Sequence, residues 1–71
     1  MRLTVTFDVE ADGRWIASVP ELSGVHAYGA TRDHAARAAL VLALRVLADE
    51  VEHGEHDAED LAPLTFSLAA A

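Results

Sequence analysis

The residues with the clearest capacity for metal chemistry are two histidines that lie among acidic side chains. His53 and His56 are separated by two residues, and Glu52, Glu55 and Asp57 are their neighbours in the chain. Imidazole and carboxylate groups together are ligands for zinc or nickel. The group spans the predicted end of a helix, however, where acidic residues more simply form a solvated loop. We therefore expect no metal ion and no cofactor at this position.

The acids of the first strand are a second candidate for chemistry. Asp8 and Glu10 are expected on one face of that strand, and Asp12 follows just beyond it. Paired carboxylates hold Mg²⁺ in nucleases, although alternating acids are also ordinary on the solvent face of a strand. No serine has a base placed to activate it, and the chain has no cysteine. We predict that the protein is not an enzyme and has no catalytic residue, with a divalent-metal nuclease as the least favoured alternative.

Hydrophobic periodicity indicates the elements that would position these groups. Alternating apolar residues predict strands, and Pro20 ends the second strand because it has no N–H to donate. A stretch without glycine or proline predicts a helix, with Thr31 as its N-cap and Gly54 as the residue that ends it. The predicted elements are strands at about 2–10, 14–19, 25–29 and 64–69 and a helix at about 32–53.

This order of elements predicts one domain, 1–71, of the α+β class with the order β-β-β-α-β. The helix is expected on one face of a four-stranded mixed sheet. Because the helix carries the chain back across the sheet, the last strand should run parallel to the first or the third. We predict the strand order 3-2-1-4.

Charge and size limit the classes of partner. The 71 residues include twelve acids, five arginines and no lysine, for a net charge of −7. An acidic surface repels phosphate backbones, so no direct nucleic-acid binding is expected. Attraction to a basic protein and simple solubility both account for the charge. No apolar run approaches the roughly 18 residues of a membrane span and no signal peptide is recognisable, so we predict a cytoplasmic protein without membrane contact.

The predicted helix carries more apolar surface than one face of a sheet requires. One stripe, expected to face the sheet, consists of Ala36, Leu40, Ala43, Leu44, Leu47 and Val51. A second, rotated stripe consists of Ala39, Leu42 and Val46. A helix on the surface of a monomer normally has one apolar stripe. The second stripe therefore predicts self-association as a homodimer or tetramer, with a broad apolar arc in a wide groove of the same chain as the alternative.

Two further surfaces are candidates for binding a different partner. The outer face of the sheet should carry Ile16, His26 and Tyr28 among threonines and serines. Such a mixture with little charge is typical of protein interfaces, but it is also ordinary on the exposed face of an antiparallel sheet. The second surface is the acidic loop after the helix. Its candidate contact residues are Glu55, Asp57, Glu59 and Asp60.

Short motifs follow one another at definite spacing through the first three quarters of the chain. They are Phe7, Glu10, Trp15-Ile16-Ala17, Val19-Pro20-Glu21-Leu22-Ser23-Gly24, Gly29-Ala30-Thr31 and the alanine-rich helix that follows. Together they resemble the HicB-like antitoxin family over about residues 3–53. The most specific part of this resemblance is the Pro-Glu-Leu-Ser-Gly loop followed by Gly-x-Thr.

The resemblance implies a partial ribonuclease-H-like domain without the catalytic acids of the nuclease. In the family, this domain binds and blocks a small basic mRNA-cleaving toxin of the HicA type. Many members add a C-terminal DNA-binding segment, for which a chain ending at Ala71 has no room, so operator binding is not expected. The resemblance thus implies an antitoxin-like protein-binding module, with a solitary oligomeric relative of unknown ligand as the alternative.

Overall fold

The computed structural model describes residues 1–70, which form four strands and two helices. The elements are β1 (Arg2–Val9), β2 (Trp15–Ser18), β3 (His26–Gly29), α1 (Arg32–Glu52), α2 (Ala58–Leu61) and β4 (Thr65–Leu68). In this described part of the chain, neither helix combines the length and the apolar character that crossing a lipid bilayer requires. The one-turn helix α2 lies in the segment predicted as an acidic loop, which is the main departure from the predicted elements.

The four strands form one mixed sheet in the order β3-β2-β1-β4. β2 pairs antiparallel with both β1 and β3, whereas β4 lies parallel to β1. α1 lies mainly over β3 and β2 and returns the chain to the other edge of the sheet, which makes the parallel pairing possible. The predicted α+β class, the β-β-β-α-β order of the main elements and the strand order 3-2-1-4 are confirmed.

The loop between β2 and β3 ends the hydrogen-bond ladder between β1 and β2 and contributes a buried side chain to the core. If the β1–β2 register continued, Thr4 would lie opposite Pro20, which has no N–H to donate. The carboxylate of Glu21 instead accepts a hydrogen bond from the Thr4 N–H at 3.0 Å. Leu22 turns inward and is buried, and Gly24 has a φ of +78°, where glycine is favoured. Each of these four loop residues therefore has a structural role.

α1 begins directly after β3 and passes very close to it. The Thr31 hydroxyl caps the helix by accepting a hydrogen bond from the His34 N–H at 3.1 Å. A Cβ atom at Gly29 would overlap the backbone nitrogen of Ala35 and lie 2.9 Å from the Cβ of His34. Glycine at position 29 is therefore required by the approach of the helix to the strand, and not by a positive φ.

Arg32 connects the start of α1 to the end of β4. Its guanidinium carbon lies 4.2 Å from the centroid of the Phe7 ring, and its Nη2 donates to the carbonyl of Ala69 at 2.8 Å. Phe7 in turn meets Trp15 edge to face, with ring centroids 6.3 Å apart. The Arg32 side chain thus connects α1 to the β4 side of the sheet. α1 covers this side less than it covers the β3 side.

The core is formed by small residues of α1 against branched residues of the sheet. Ala35, Ala39 and Ala43 are completely buried, and the sheet contributes Leu3, Val5 and Ala17 together with Val19 and Val25 of the loop between β2 and β3. The placement of Ala39 on a self-association surface is wrong, because alanines at intervals of four residues let α1 approach the sheet along that stripe. The other two residues of the predicted stripe, Leu42 and Val46, are half-buried and pack against the core.

Because α1 meets the sheet along Ala35, Ala39 and Ala43, a different apolar stripe of the helix remains outside. Leu44 and Val51 belong to the stripe that the sequence pattern assigned to the sheet, yet they are 48% and 46% exposed. Val41, which belongs to neither predicted stripe, is 45% exposed. A single copy of the chain therefore does leave apolar side chains of α1 exposed. They are not the residues that the sequence pattern predicted for self-association.

Candidate partner-binding surfaces

The outer face of the sheet brings together the three partner-binding residues predicted on it. Ile16 lies opposite Tyr28, and Ser18 lies opposite His26, in the antiparallel register of β2 and β3. Directly opposed residues have Cβ atoms about 5 Å apart, so the four side chains form a continuous surface. His26 and Tyr28 are exposed, and Ile16 and Ser18 are half-buried. We call these four residues the outer-sheet patch.

A hydrogen bond sets the orientation of the His26 ring. Ser18 Oγ and His26 Nδ1 are 2.8 Å apart. The strand that carries Ser18 is itself held to β1, where the Thr6 hydroxyl donates to the Ser18 carbonyl at 3.4 Å. Within residues 1–70, Nε2 of His26 has no hydrogen-bond partner. The ring is thus fixed at one nitrogen, and the other nitrogen is free to bind.

Arg14 adds a positive charge to the edge of the outer-sheet patch. Its guanidinium carbon lies 4.9 Å from the centroid of the Tyr28 ring, which is a cation–π contact. Its Nε donates to the Asp12 carboxylate at 2.8 Å. The backbone N–H of Arg14 donates to the same carboxylate, and this hydrogen bond is the largest cause of the lowered pKa of Asp12. Arg14 was not among the predicted contact residues, although its place two residues before Ile16 puts both on one strand face.

The acidic segment, residues 55–60, lies at the opposite end of the molecule from Ile16 and Tyr28. It precedes β4, whose Thr65 pairs with Arg2 at the start of β1, whereas Ile16 pairs with Asp8 near the end of β1. Six residues of extended strand separate these positions by about 20 Å. The predicted contact residues of this segment, Glu55, Asp57, Glu59 and Asp60, are all exposed. The structure therefore places the two predicted partner-binding groups on separate surfaces.

The acidic segment is held by local hydrogen bonds. The backbone N–H of Asp57 donates to the Asp60 carboxylate at 3.3 Å, across the first turn of α2. His56 Nε2 lies 2.7 Å from Oε1 of Glu50, and both side chains of this pair are about three-quarters buried. This pair connects the segment to α1, so α2 has a defined position beside the end of the long helix.

Neither set of residues considered for metal chemistry forms a cluster. His53 Nδ1 lies 2.7 Å from the carbonyl oxygen of Asp49, while His56 turns to Glu50. Asp8 accepts a hydrogen bond from the backbone N–H of its neighbour at 2.9 Å. Among residues 1–70, no three His, Asp or Glu side chains are grouped so that they could hold a metal ion.

The exposed side of α1 is a surface that the sequence pattern did not identify. We call it the outer α1 face. It is lined by Arg37, Val41, Leu44, Arg45, Ala48 and Glu52. Two shallow, mainly apolar grooves lie along it, one near Val41 and one between Leu44 and the segment that carries Leu61 and Leu64. The signal was present in the sequence, because these residues recur at steps of three and four. Without the structure, however, this stripe could not be distinguished from the one that faces the sheet.

In comparisons with protein-family models, with curated proteins and with solved structures, no match to this chain was found. Its function must therefore be inferred from its own residues and from the motifs described above. The outer-sheet patch offers an aromatic ring, a branched apolar side chain, a free imidazole nitrogen and a nearby guanidinium group. These groups are suited to recognition of another molecule.

Proposed function

We propose that this protein is an antitoxin-like binding module that neutralises a small basic mRNA-cleaving toxin of the HicA type. The observation that carries the proposal is the outer-sheet patch, in which Ile16 and Tyr28 pair across two strands and Ser18 holds the His26 ring. A patch on paired strands is already ordered before binding, so association loses less conformational entropy than it would on a loop. The resemblance to HicB-like antitoxins supplies the class of partner.

The charge of the chain supports a basic partner. The net charge is −7, and the exposed acids of residues 55–60 precede the β4 end of the sheet, which lies about 20 Å along β1 from the level of Ile16 and Tyr28. At that distance they act by attracting a basic protein during its approach, while the patch makes the close contact. The bound module covers the RNA-binding or catalytic surface of the toxin. This mechanism uses no catalytic residue, no cofactor and no contact with nucleic acid, and it places the protein in the cytoplasm, where mRNA is.

The second candidate function is a solitary oligomeric module with an unidentified ligand. It is favoured by the outer α1 face, where Val41 and Leu44 are each nearly half exposed. This alternative requires stable self-association and no toxin. The two functions differ in one measurable respect, since only the antitoxin-like module protects cells against a toxin.

Co-expression tests the proposal directly. The protein is expressed together with the product of an adjacent small basic reading frame, and both growth and co-purification are measured. We expect the wild-type protein to restore growth and to co-purify with the toxin. Tyr28→Ala should lose both effects, because the aromatic ring supplies the largest exposed side chain of the patch. Thr65→Ala is the control, because Thr65 is exposed on the same sheet at the β4 edge.

Failure of the wild-type protein both to form a complex and to restore growth would count against the antitoxin function. Rescue by Tyr28→Ala at the wild-type level would count against the outer-sheet patch as the contact surface. The circular dichroism of each variant shows whether it is folded, so that loss of rescue is not confused with loss of structure.

A further inference from the structure

α1 covers only part of the sheet, and the β4 side is left open. The helix packs over β3 and β2 and makes few contacts with β1 and β4. Phe66 and Leu68 of β4 pair with the core residues Leu3 and Val5, so their side chains lie on the helix side of the sheet. Leu68 is nevertheless 47% exposed. In the part of the chain that the structure describes, an apolar portion of the sheet therefore lacks a covering element.

A groove of about 550 Å³ lies between α1 and the segment that leads into β4. Its apolar lining comes from both sides of the groove. The lining residues are Leu44, Leu47, Ala48 and Val51 on α1 and Leu61 and Leu64 on the opposite side. Leu64, Phe66 and Leu68 are at alternate positions, so the row that begins at Leu64 continues along β4. We call the groove together with this row the β4-side groove.

The outer edge of β4 has free backbone groups. The backbone N–H groups of Thr65 and Ala69 donate to carbonyls on the β1 side at 3.0 and 2.8 Å. Because alternate residues of a strand turn their backbone groups to opposite sides, the N–H and C=O groups of Phe66 and Leu68 point away from β1. Within residues 1–70, no strand lies on that side. Edge strands are commonly protected by a charged residue or a proline, and Thr65–Leu68 contains neither.

We propose that an extended segment of a basic protein partner adds to this edge as a fifth strand. Its backbone pairs with Phe66 and Leu68, and every second side chain enters the β4-side groove. A helix in the same groove would cover these backbone groups without supplying hydrogen bonds, so the free edge selects a strand. The outer-sheet patch lies on β2 and β3 and on the other face of the sheet. The inference therefore does not rest on the antitoxin-like function.

The charges around the β4-side groove indicate that the partner is basic. Glu52 lines the groove, and the exposed acids of residues 55–60 lie at the same end, just before Leu61. The N-terminal ammonium of Met1 is also at this end, but it donates to the carbonyls of Leu61 and Pro63 at 3.1 and 2.8 Å. A second copy of the chain would bring the same net charge of −7. A segment with lysine or arginine at the end that meets Glu52 brings the opposite charge.

Selection from a random peptide library tests the class of partner. Peptides of about twelve residues, longer than β4, are displayed on phage and selected on the whole wild-type chain. We expect enriched sequences with apolar residues at every second position and lysine or arginine near one end. A library that yields no binder, or binders with acidic ends, overturns the proposal.

The charge of Glu52 is tested with the enriched peptides, made synthetically. Glu52→Gln should weaken their binding about threefold, because a carboxylate beside the basic end of the peptide is removed. Glu10→Gln removes the same charge beyond the other end of β1 and should leave the affinity unchanged. Equal affinities of the two variants would contradict the predicted position of the basic end.

Two substitutions at one position test the backbone pairing. Leu68→Ala and Leu68→Pro both remove the leucine side chain, but only proline also removes the N–H that points to the open edge. The Ala69 N–H that pairs on the β1 side is kept in both variants. Leu68→Pro should therefore bind the synthetic peptide about tenfold more weakly than Leu68→Ala. Circular dichroism shows that both variants are folded, and equal affinities would overturn strand addition.

Amide hydrogen exchange gives an independent measurement on the wild-type protein. Bound peptide should slow exchange at Phe66 and Leu68 at least about tenfold, whereas Thr65 and Ser67, whose N–H groups face β1, should change less. Peptide binding without protection of Phe66 and Leu68 overturns the proposal. Protection of these two amides without peptide, in a protein that sedimentation equilibrium shows to be dimeric, would assign the edge to a second copy and overturn the choice of partner.

Discussion

The carboxylate of Glu21 accepts a hydrogen bond from the backbone N–H of Thr4 at 3.0 Å. Thr4 belongs to β1. If the pairing of β1 with β2 continued, the residue opposite Thr4 would be Pro20, which has no backbone N–H to donate. Glu21 thus satisfies a strand amide at the point where proline ends the ladder. The Pro-Glu pair, which the motif resemblance emphasises, therefore has a local structural explanation that does not depend on a partner.

This contact predicts a pH-dependent contribution to stability. The hydrogen bond from Thr4 lowers the pKa of Glu21 in the folded state below its ordinary value of 4.5. A lowered folded-state pKa means that the stabilisation is present above pH 4.5 and is lost as the pH falls through the folded-state value. We expect this hydrogen bond to contribute less than about 1 kcal/mol to the free energy of unfolding, because the Glu21 carboxylate is exposed and screened by solvent.

Urea denaturation at neutral and acidic pH checks this prediction on the wild-type protein and Glu21→Gln. The loss of stability on acidification should be smaller in Glu21→Gln by the contribution of this group. Glu55→Gln controls for removing one negative charge, because the Glu55 side chain makes no hydrogen bond within residues 1–70. An equal acid sensitivity in wild type and Glu21→Gln would show that the Thr4 contact contributes nothing.

Gly29→Ala should destabilise the protein by about 1–3 kcal/mol, because the new methyl group would overlap the backbone of α1. The nearest atoms belong to the backbone of Ala35 and to His34, and backbone cannot move aside as a flexible side chain can. Gly13→Ala is the informative control, since position 13 is open around the Cβ but has a φ of +89°. That variant should lose about 1 kcal/mol from the backbone conformation alone. A Gly29→Ala variant as stable as wild type in thermal and urea unfolding would refute the close approach.

The pair formed by Glu50 and His56, whose side chains are about three-quarters buried, should contribute to stability through direct coupling. A double-mutant cycle with Glu50→Ala and His56→Ala is expected to give a coupling energy of about 0.5–1.5 kcal/mol, because the 2.7 Å hydrogen bond is largely shielded from solvent. The same cycle on Asp33 and Arg37, whose contact is 3.4 Å long and exposed, should give at most about 0.5 kcal/mol. Equal coupling in the two cycles would contradict this ranking.

Ser18→Ala tests the positioning of His26 and rests on the proposed binding function. Loss of the 2.8 Å hydrogen bond frees the ring, so binding of the toxin should weaken about threefold to tenfold while the fold remains intact. Ser67→Ala makes the same chemical change on β4, on the outer face of the sheet but away from the patch, and should bind as wild type does. Titration calorimetry measures both. Equal affinity in the two variants would show that the orientation of His26 does not matter for binding.

The local features of this fold could be predicted because they depend on neighbouring residues. The alternation of residues 2–9 defines a strand face, Thr31 caps the helix through a contact three residues away, and Gly54 takes a positive φ of +75° where the helix ends. The order of these elements, with a helix between the third and fourth strands, predicted a last strand parallel to the first or the third, and the predicted strand order 3-2-1-4 placed it beside β1, as the structure has it. α2 was missed because it is a single turn, too short to show a periodic pattern.

The amino-acid sequence by itself determined the order of strands and helix, their capping residues and the outer-sheet patch around Ile16, His26 and Tyr28. Only the tertiary structure decided which side of α1 meets the sheet. Apolar residues lie around much of this helix, so its periodicity does not select one face. In the structure α1 meets the sheet along Ala35, Ala39 and Ala43, and Val41 and Leu44 remain outside. Which side of α1 meets the sheet depends on how the helix surface fits the sheet surface, and the residues of these two surfaces are distant in the sequence. A local pattern of residues therefore does not predict it.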